Sequence, residues 1–289
     1  MRSVNWATRV LLISLMFAAL ILVLFAAKAK QLQTNTTISN PEITTWSQYP
    51  QAQLQSANNQ KRQSQNINQS PVKTNQTVAR YITTVAFAKY KPNYEIALVN
   101  PSNYGERYTK DINGIPLNNE PIIVLHETGY SASSAINFFQ ATHNDKTVQA
   151  SYHTLIKLDG TVVYLVPPEK RAFGAANSVF EGFNGVVTVQ TNPNLPPSVN
   201  NFAYHVSLET PPDSYESTGP LTHSGYTEAQ YNSLAWLIAQ SQVPDDRITT
   251  HHLVDRSGQK IDPINFDGNK FLNLLHAYRQ VRPIYRVNK

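Results

Sequence analysis

The feature that most limits what this chain can fold into is a change of composition near residue 80. Across residues 31–80, Gln, Asn, Ser and Thr fill 30 of 50 positions, and the apolar residues between them keep neither a helical nor an alternating period. Such a segment cannot bury enough apolar surface to offset the entropy lost on ordering. It reads as a disordered linker, and any packed core has to be built from residues 81–289. Ahead of it, residues 1–30 carry Arg2 and Arg9, no acid, and then eighteen uncharged, Leu-rich residues from Val10 to Ala27. This is the pattern of a signal peptide or a signal anchor. A run of that length sits at the lower edge of a membrane span, while Ala27-Lys28-Ala29 has the small-x-small form of a cleavage site. Either way this N-terminal hydrophobic helix directs export. As an anchor it would tether the chain to the inner membrane, basic end in the cytoplasm. The expected location is the periplasm or cell envelope.

The chain has no cysteine, so disulfides and cysteine-zinc sites are excluded, and any metal must be held by His, Asp or Glu. A net charge of +5 suits attraction to an anionic polymer or a membrane surface. No basic run is interleaved with aromatics, so nucleic acid is not an expected partner.

From Arg80 onward the pattern is globular. Tyr81 to Ala88 reads as a first strand or an ordered leader. Pro121-Ile-Ile-Val-Leu-His126 is a short apolar run of the kind found in buried central strands, and His126 falls at its C-terminal end, where open α/β sheets place their ligands. Ser131 or Ser133 can cap a helix through Phe139. Tyr152 and His153 open a strand that pairs with Thr161–Val166 across Asp159-Gly160, a strong hairpin signal. In Phe202–Glu209, alternation sets His205, Ser207 and Glu209 on one face. Thr227-Glu-Ala-Gln230 has capping-box spacing and starts a helix, and Asp267 can cap a last one. This order of elements predicts an α/β domain, a mixed central β-sheet flanked by α-helices.

Reactive side chains concentrate in residues 248–263. His251, His252, Lys260 and Asp262 lie within a dozen residues, with Arg256-Ser257-Gly258 offering a turn between them. Imidazole and carboxylate are good zinc ligands, and a charged lysine beside them can hold a developing negative charge. A loop that folds back would present a histidine and Asp262 to one point.

Taken in order, Ile-Val-Leu-His126, Ser-Tyr152-His153 with its Lys-Leu-Asp-Gly-Thr-Val hairpin, Tyr226-Thr-Glu-Ala-Gln-Tyr231, Ile-Thr-Thr-His251 and Lys260-Ile-Asp262-Pro263 resemble the zinc-dependent N-acetylmuramoyl-L-alanine amidases. These form the type 2 amidase family, which includes phage lysozyme-type amidases and the peptidoglycan recognition proteins. The resemblance spans roughly residues 118–282. It implies zinc held by His126, His251 and Asp262, with His252 as the rival for the second position. It implies Lys260 and Tyr152 as catalytic groups, as in the phage branch, and peptidoglycan muropeptides as the partner of a monomeric hydrolase. Two departures stand out. Where many members carry a glutamate in a Gly-Ile-Glu strand, this chain has Ser207, so Glu209, two residues on and on the same face, is the candidate base. The family's Trp-His-Ala-Gly segment is here Phe173-Gly174-Ala175-Ala176. The alternative that Ser207 leaves open is a peptidoglycan-binding module that has lost catalysis.

Overall fold

The computed structural model describes residues 80–183, 185–214 and 222–282. The expected N-terminal helix and linker lie outside the described residues. Among the described residues no helix is long and apolar enough to cross a membrane.

The chain runs through β1 (Tyr81–Thr83), α1 (Val85–Lys89), β2 (Tyr94–Ile96), β3 (Tyr104–Glu106), β4 (Ile122–Glu127), α2 (Ala132–Gln140), β5 (Thr154–Ile156), β6 (Val162–Tyr164) and β7 (Lys170–Ala172). It continues through β8 (Phe180–Gly182), β9 (Gly185–Val187), β10 (Ala203–Leu208), α3 (Glu228–Ala239), β11 (Ile248–Thr250), α4 (His251–Val254), α5 (Gly268–Tyr278) and β12 (Arg279–Val281). Six strands form the central sheet in the order β11-β4-β10-β5-β6-β2. It is mixed, as expected: β5 and β6 are antiparallel and the other neighbours are parallel.

The apolar run at 122–125 becomes β4, between two parallel neighbours with every residue buried. That double burial explains why its apolar residues are continuous rather than alternating. One face carries Ile122, Val124 and His126 from β4 and, paired with them, Ala203, His205 and Ser207 from β10. Ala132 and Phe139 of α2 pack with Leu155 and Val163 in one apolar cluster, while Phe180 and Val254 pack with Ile122, Val124 and Ala203 in another. Elsewhere α3 packs beside β5 and against α5. Its Gln230 amide donates to Glu209 O at 2.9 Å.

Helix starts follow the local signals. Ser131 caps α2 by accepting from Ser134 N, Thr227 and Gln230 form the capping box of α3, and Asp267 caps α5. Two readings change. Tyr81–Ala88 is not one strand: Thr84 caps a helix after three residues, and β1 pairs with β12 in a separate two-stranded sheet. The buried Arg279 secures this pairing, bonded to Asp245 Oδ1 at 2.5 Å and lying 4.0 Å from the Tyr81 ring centre. Tyr152 and His153 do not open β5 but precede it, because pairing with β10 begins only at Thr154.

The hairpin at Asp159-Gly160 is present, with three loop residues rather than two. Gly160 N donates to Lys157 O and Lys157 N to Thr161 O, each at 2.9 Å, and Gly160 has φ +84°. This is a tight turn closed by a left-handed residue. A Cβ on Gly160 would also lie 2.9 Å from Ala229 O, in the first turn of α3. Gly160→Ala is therefore expected to cost about 1–3 kcal/mol, read as a lower midpoint of denaturant unfolding. An unchanged midpoint would show that the hairpin does not need the left-handed conformation.

Candidate metal centre

Parallel strands place their C-terminal ends along one edge of the sheet, and three segments meet there. His126 is the fifth residue of β4. Thr250, the last residue of β11, pairs with Leu125, which sets the next residues, His251 and His126, side by side with ring centres 4.6 Å apart. Beyond Thr250 the strand turns directly into α4, with Thr250 as N-cap, so His251 is the first helical residue.

The chain then folds back to deliver Asp262. Asp255 organises this return, its carboxylate accepting from the backbone N–H groups of Ser257, Gln259 and Lys260 at 3.1–3.3 Å. Against the raising effect of partial burial, bonds to Ser257, Lys260 and Gln259 hold its carboxyl down at about 2. His252 pins the returning strand from outside: its backbone N–H donates to Asp262 O at 2.9 Å, and its exposed ring lies 3.0 Å from Lys260 O through Nδ1. Of the two neighbouring histidines, His251 faces Asp262 and His252 faces the loop backbone.

His126, His251 and Asp262 each offer a ligand atom within 4.8 Å of the others. Asp262 Oδ1 lies 3.0 Å from His251 Nδ1, and Oδ2 lies 3.5 Å from His126 Nδ1. Among the described residues, the buried His126 Nδ1 has no hydrogen-bond partner. A buried polar atom left unpaired is costly, and its position opposite a carboxylate is where a bound cation would satisfy it. Burial first, and then the neighbouring His251, push the His126 imidazole down to about 4. It is therefore a neutral lone-pair donor at neutral pH. Burial alone would raise the Asp262 carboxyl, yet the two imidazoles hold it well below the usual carboxylate range. A neutral His126 imidazole, the neighbouring His251 imidazole and an ionised Asp262 carboxylate form a donor set that would suit zinc.

Tyr152 packs against this centre, its ring centre 4.7 Å from that of His126 and edge-on to Phe139. Burial, then the carboxylates of Asp262 and Glu127, raise the phenol above its ordinary range, so it remains a hydrogen-bond donor. Lys260 is exposed on the returning loop. Its charge is near enough to help depress His126, and among the described residues its ammonium makes no side-chain hydrogen bond or ion pair.

Glu209, the candidate base, is engaged by backbone at both ends of its carboxylate. Its two carboxylate oxygens accept the backbone N–H groups of Ala132 at 2.7 Å and Leu158 at 2.9 Å. It ties the start of α2 to the β5–β6 turn through both carboxylate oxygens. Ser207, paired with His126 in the register and fully buried, places no carboxylate there either.

One residue in the centre was not legible as functional. Glu127 follows His126 and is buried. Its Oε2 accepts from Ile264 N at 3.0 Å, from the Tyr226 hydroxyl, and lies 3.2 Å from His223 Nε2. It clamps the segment after Asp262 onto the end of β4. The only sequence signal was an acid beside a candidate ligand, which on its own does not distinguish a clamp from a surface charge.

A family model described as N-acetylmuramoyl-L-alanine amidase matches residues 118–265, just over half of the chain. Among solved structures, a selenomethionine derivative of AmpD is 23% identical, with a TM-score of 0.42, over 64% of this chain and 94% of that one. AmiD from E. coli, solved with the substrate anhydro-N-acetylmuramic acid-L-Ala-D-gamma-Glu-L-Lys, is 18% identical, with a TM-score of 0.42, over 60% of this chain and 65% of that one. AmpD from Citrobacter freundii is 21% identical, with a TM-score of 0.37, over 64% of this chain and 90% of that one. No curated protein matches the chain by sequence.

Proposed function

The chain belongs to the N-acetylmuramoyl-L-alanine amidase family, and from that premise we propose that it is a zinc-dependent hydrolase of peptidoglycan. The bond cut is the amide between the lactyl group of N-acetylmuramic acid and the L-alanine of the stem peptide. The observation that carries this reading is the convergence of His126, His251 and Asp262, with the buried Nδ1 of His126 unpartnered among the described residues.

When bound by these three residues, zinc supplies a Lewis acid that activates water near neutral pH and polarises an amide carbonyl. The remaining work falls to the chain itself. Glu127 holds the loop so that Asp262 faces the two histidines. Lys260 brings an ammonium that is unpaired among the described residues to the exposed side, where negative charge would develop on the carbonyl oxygen. Tyr152, kept protonated by burial, can donate to the same oxygen. With Glu209 engaged by backbone, this pair resembles the phage branch more than the branch that uses a strand glutamate. Export and tethering belong to the same proposal. Residues 10–27 would hold the enzyme at the inner membrane, and residues 31–80 would set how far it reaches into the wall as a monomer.

The test is digestion of purified peptidoglycan by the full chain loaded with zinc, with products read by mass spectrometry. Free stem peptides beginning at L-alanine are the expected result. Intact muropeptides, with the chain still pelleting on cell wall, would replace this reading with a binding module of the same fold.

A further inference from the structure

Behind the metal centre lies a second imidazole whose position packing alone does not explain. His205 is completely buried on β10, and its Nδ1 lies 2.9 Å from Nε2 of His126. Its other nitrogen, Nε2, is buried with no partner among the described residues. The fold therefore retains a polar ring with one unsatisfied nitrogen where an apolar side chain of similar size would fill the space without that penalty.

Two further contacts fix the ring. Gly174 passes directly over it: a Cβ at 174 would sit 2.5 Å from Cγ and Nδ1 of His205. No residue other than glycine leaves room for the imidazole. On its other side His153 lies nearly parallel, with ring centres 5.8 Å apart and planes 10° apart. His153 Nδ1 accepts the backbone N–H of His205 at 2.9 Å, so its proton is on Nε2, 3.2 Å from Lys170 O. His153 is thus locked in one tautomer and carries none of the metal chemistry.

The His126–His205 bond can run in two directions. If His205 donated, His126 would carry its proton on Nδ1, facing Asp262. At 3.5 Å that nitrogen is too far from the carboxylate for a well-formed hydrogen bond. If His126 donates from Nε2, its Nδ1 is a bare lone pair directed towards Asp262 and His251. We propose that His205 is a positioning residue: its Nδ1 accepts the Nε2 proton of His126 and so selects the tautomer that can bind metal, and Gly174 is glycine to admit it. This rests on the zinc reading given above. A partner of this kind orients a ligating histidine and raises its basicity.

The test compares zinc affinity of the full chain, by competition with a chromogenic chelator, for wild type, His205→Leu and His205→Asn. Leucine keeps the bulk and removes the acceptor, while the Asn amide oxygen can stand close to where Nδ1 is. His205→Leu should weaken zinc binding by about 10- to 100-fold, and His205→Asn should bind close to wild type. Equal affinity in the wild type and the Leu variant would overturn the role of His205 alone. An Asn variant that falls as far as Leu would also overturn it, since ring packing and not the acceptor would then be what matters. A wild-type chain that takes up no zinc would overturn the metal reading, and this inference with it.

Discussion

The Asp262→Ala variant of the full chain should purify without zinc and release no L-alanine-terminated stem peptides from peptidoglycan. Asp262 is the only carboxylate among the three clustered groups, and its oxygens lie within 3.5 Å of both imidazoles. Its loss removes one of three ligands and the negative charge that balances a divalent cation. The fall in zinc affinity should exceed the roughly 10- to 100-fold typical of losing an outer partner of a ligand. The fold should survive, because Asp262 sits on a loop whose path is held by other bonds. Those are Ile264 N to Glu127, His252 N to Asp262 O and the Asp255 turn. The check is zinc content by elemental analysis beside the digestion, with circular dichroism as the folding control. A folded variant that keeps stoichiometric zinc would remove Asp262 from the ligand set.

The second large effect is expected at Lys260. Lys260→Ala should lower kcat by about 10²- to 10³-fold, the loss seen when one preorganised group facing an oxyanion is removed. KM should change little, since the ammonium meets charge that exists only as the reaction proceeds. Zinc content should stay at the wild-type level. The exposed side chain makes no ion pair among the described residues, and its backbone N–H, not its ammonium, joins the Asp255 turn. Kinetics on a soluble muropeptide would separate the two parameters. A rise in KM at constant kcat would make Lys260 a substrate-binding group instead.

Much of the domain was legible because its signals are local. The unbroken apolar residues of 122–125 announced a strand buried on both faces. Ser131, Thr227 and Asp267 announced helix starts through side chains that bond three residues ahead. The family resemblance, carried by short motifs in order, named His126, His251 and Asp262, and the structure brings all three together. What was less legible shares a different cause. Glu209 lay on the expected face by alternation, but its partners, Ala132 N and Leu158 N, come from distant parts of the chain. Tyr152 and His153 looked like strand residues because nothing nearby shows that pairing starts at Thr154. Two residues that look unrelated in sequence are neighbours in space: Gly174, in the segment that departs from the family's Trp-His-Ala-Gly, leaves the room that His205 fills.

By itself the sequence determined where a core can form, that the sheet is mixed, where helices begin, and which residue types are available for a metal. All of these depend on composition or on neighbours a few positions apart, and such interactions are present wherever the local segment is. Only the tertiary structure decided which of two adjacent histidines faces the carboxylate, which glutamate clamps the loop, and which buried imidazole stands behind His126. Each of those choices depends on the register of β4 against β11 and β10 and on the loop that returns over them. Groups far apart in the chain meet only when the sheet closes, and a fraction of a turn in α4 or one residue of slip in β10 would exchange their roles.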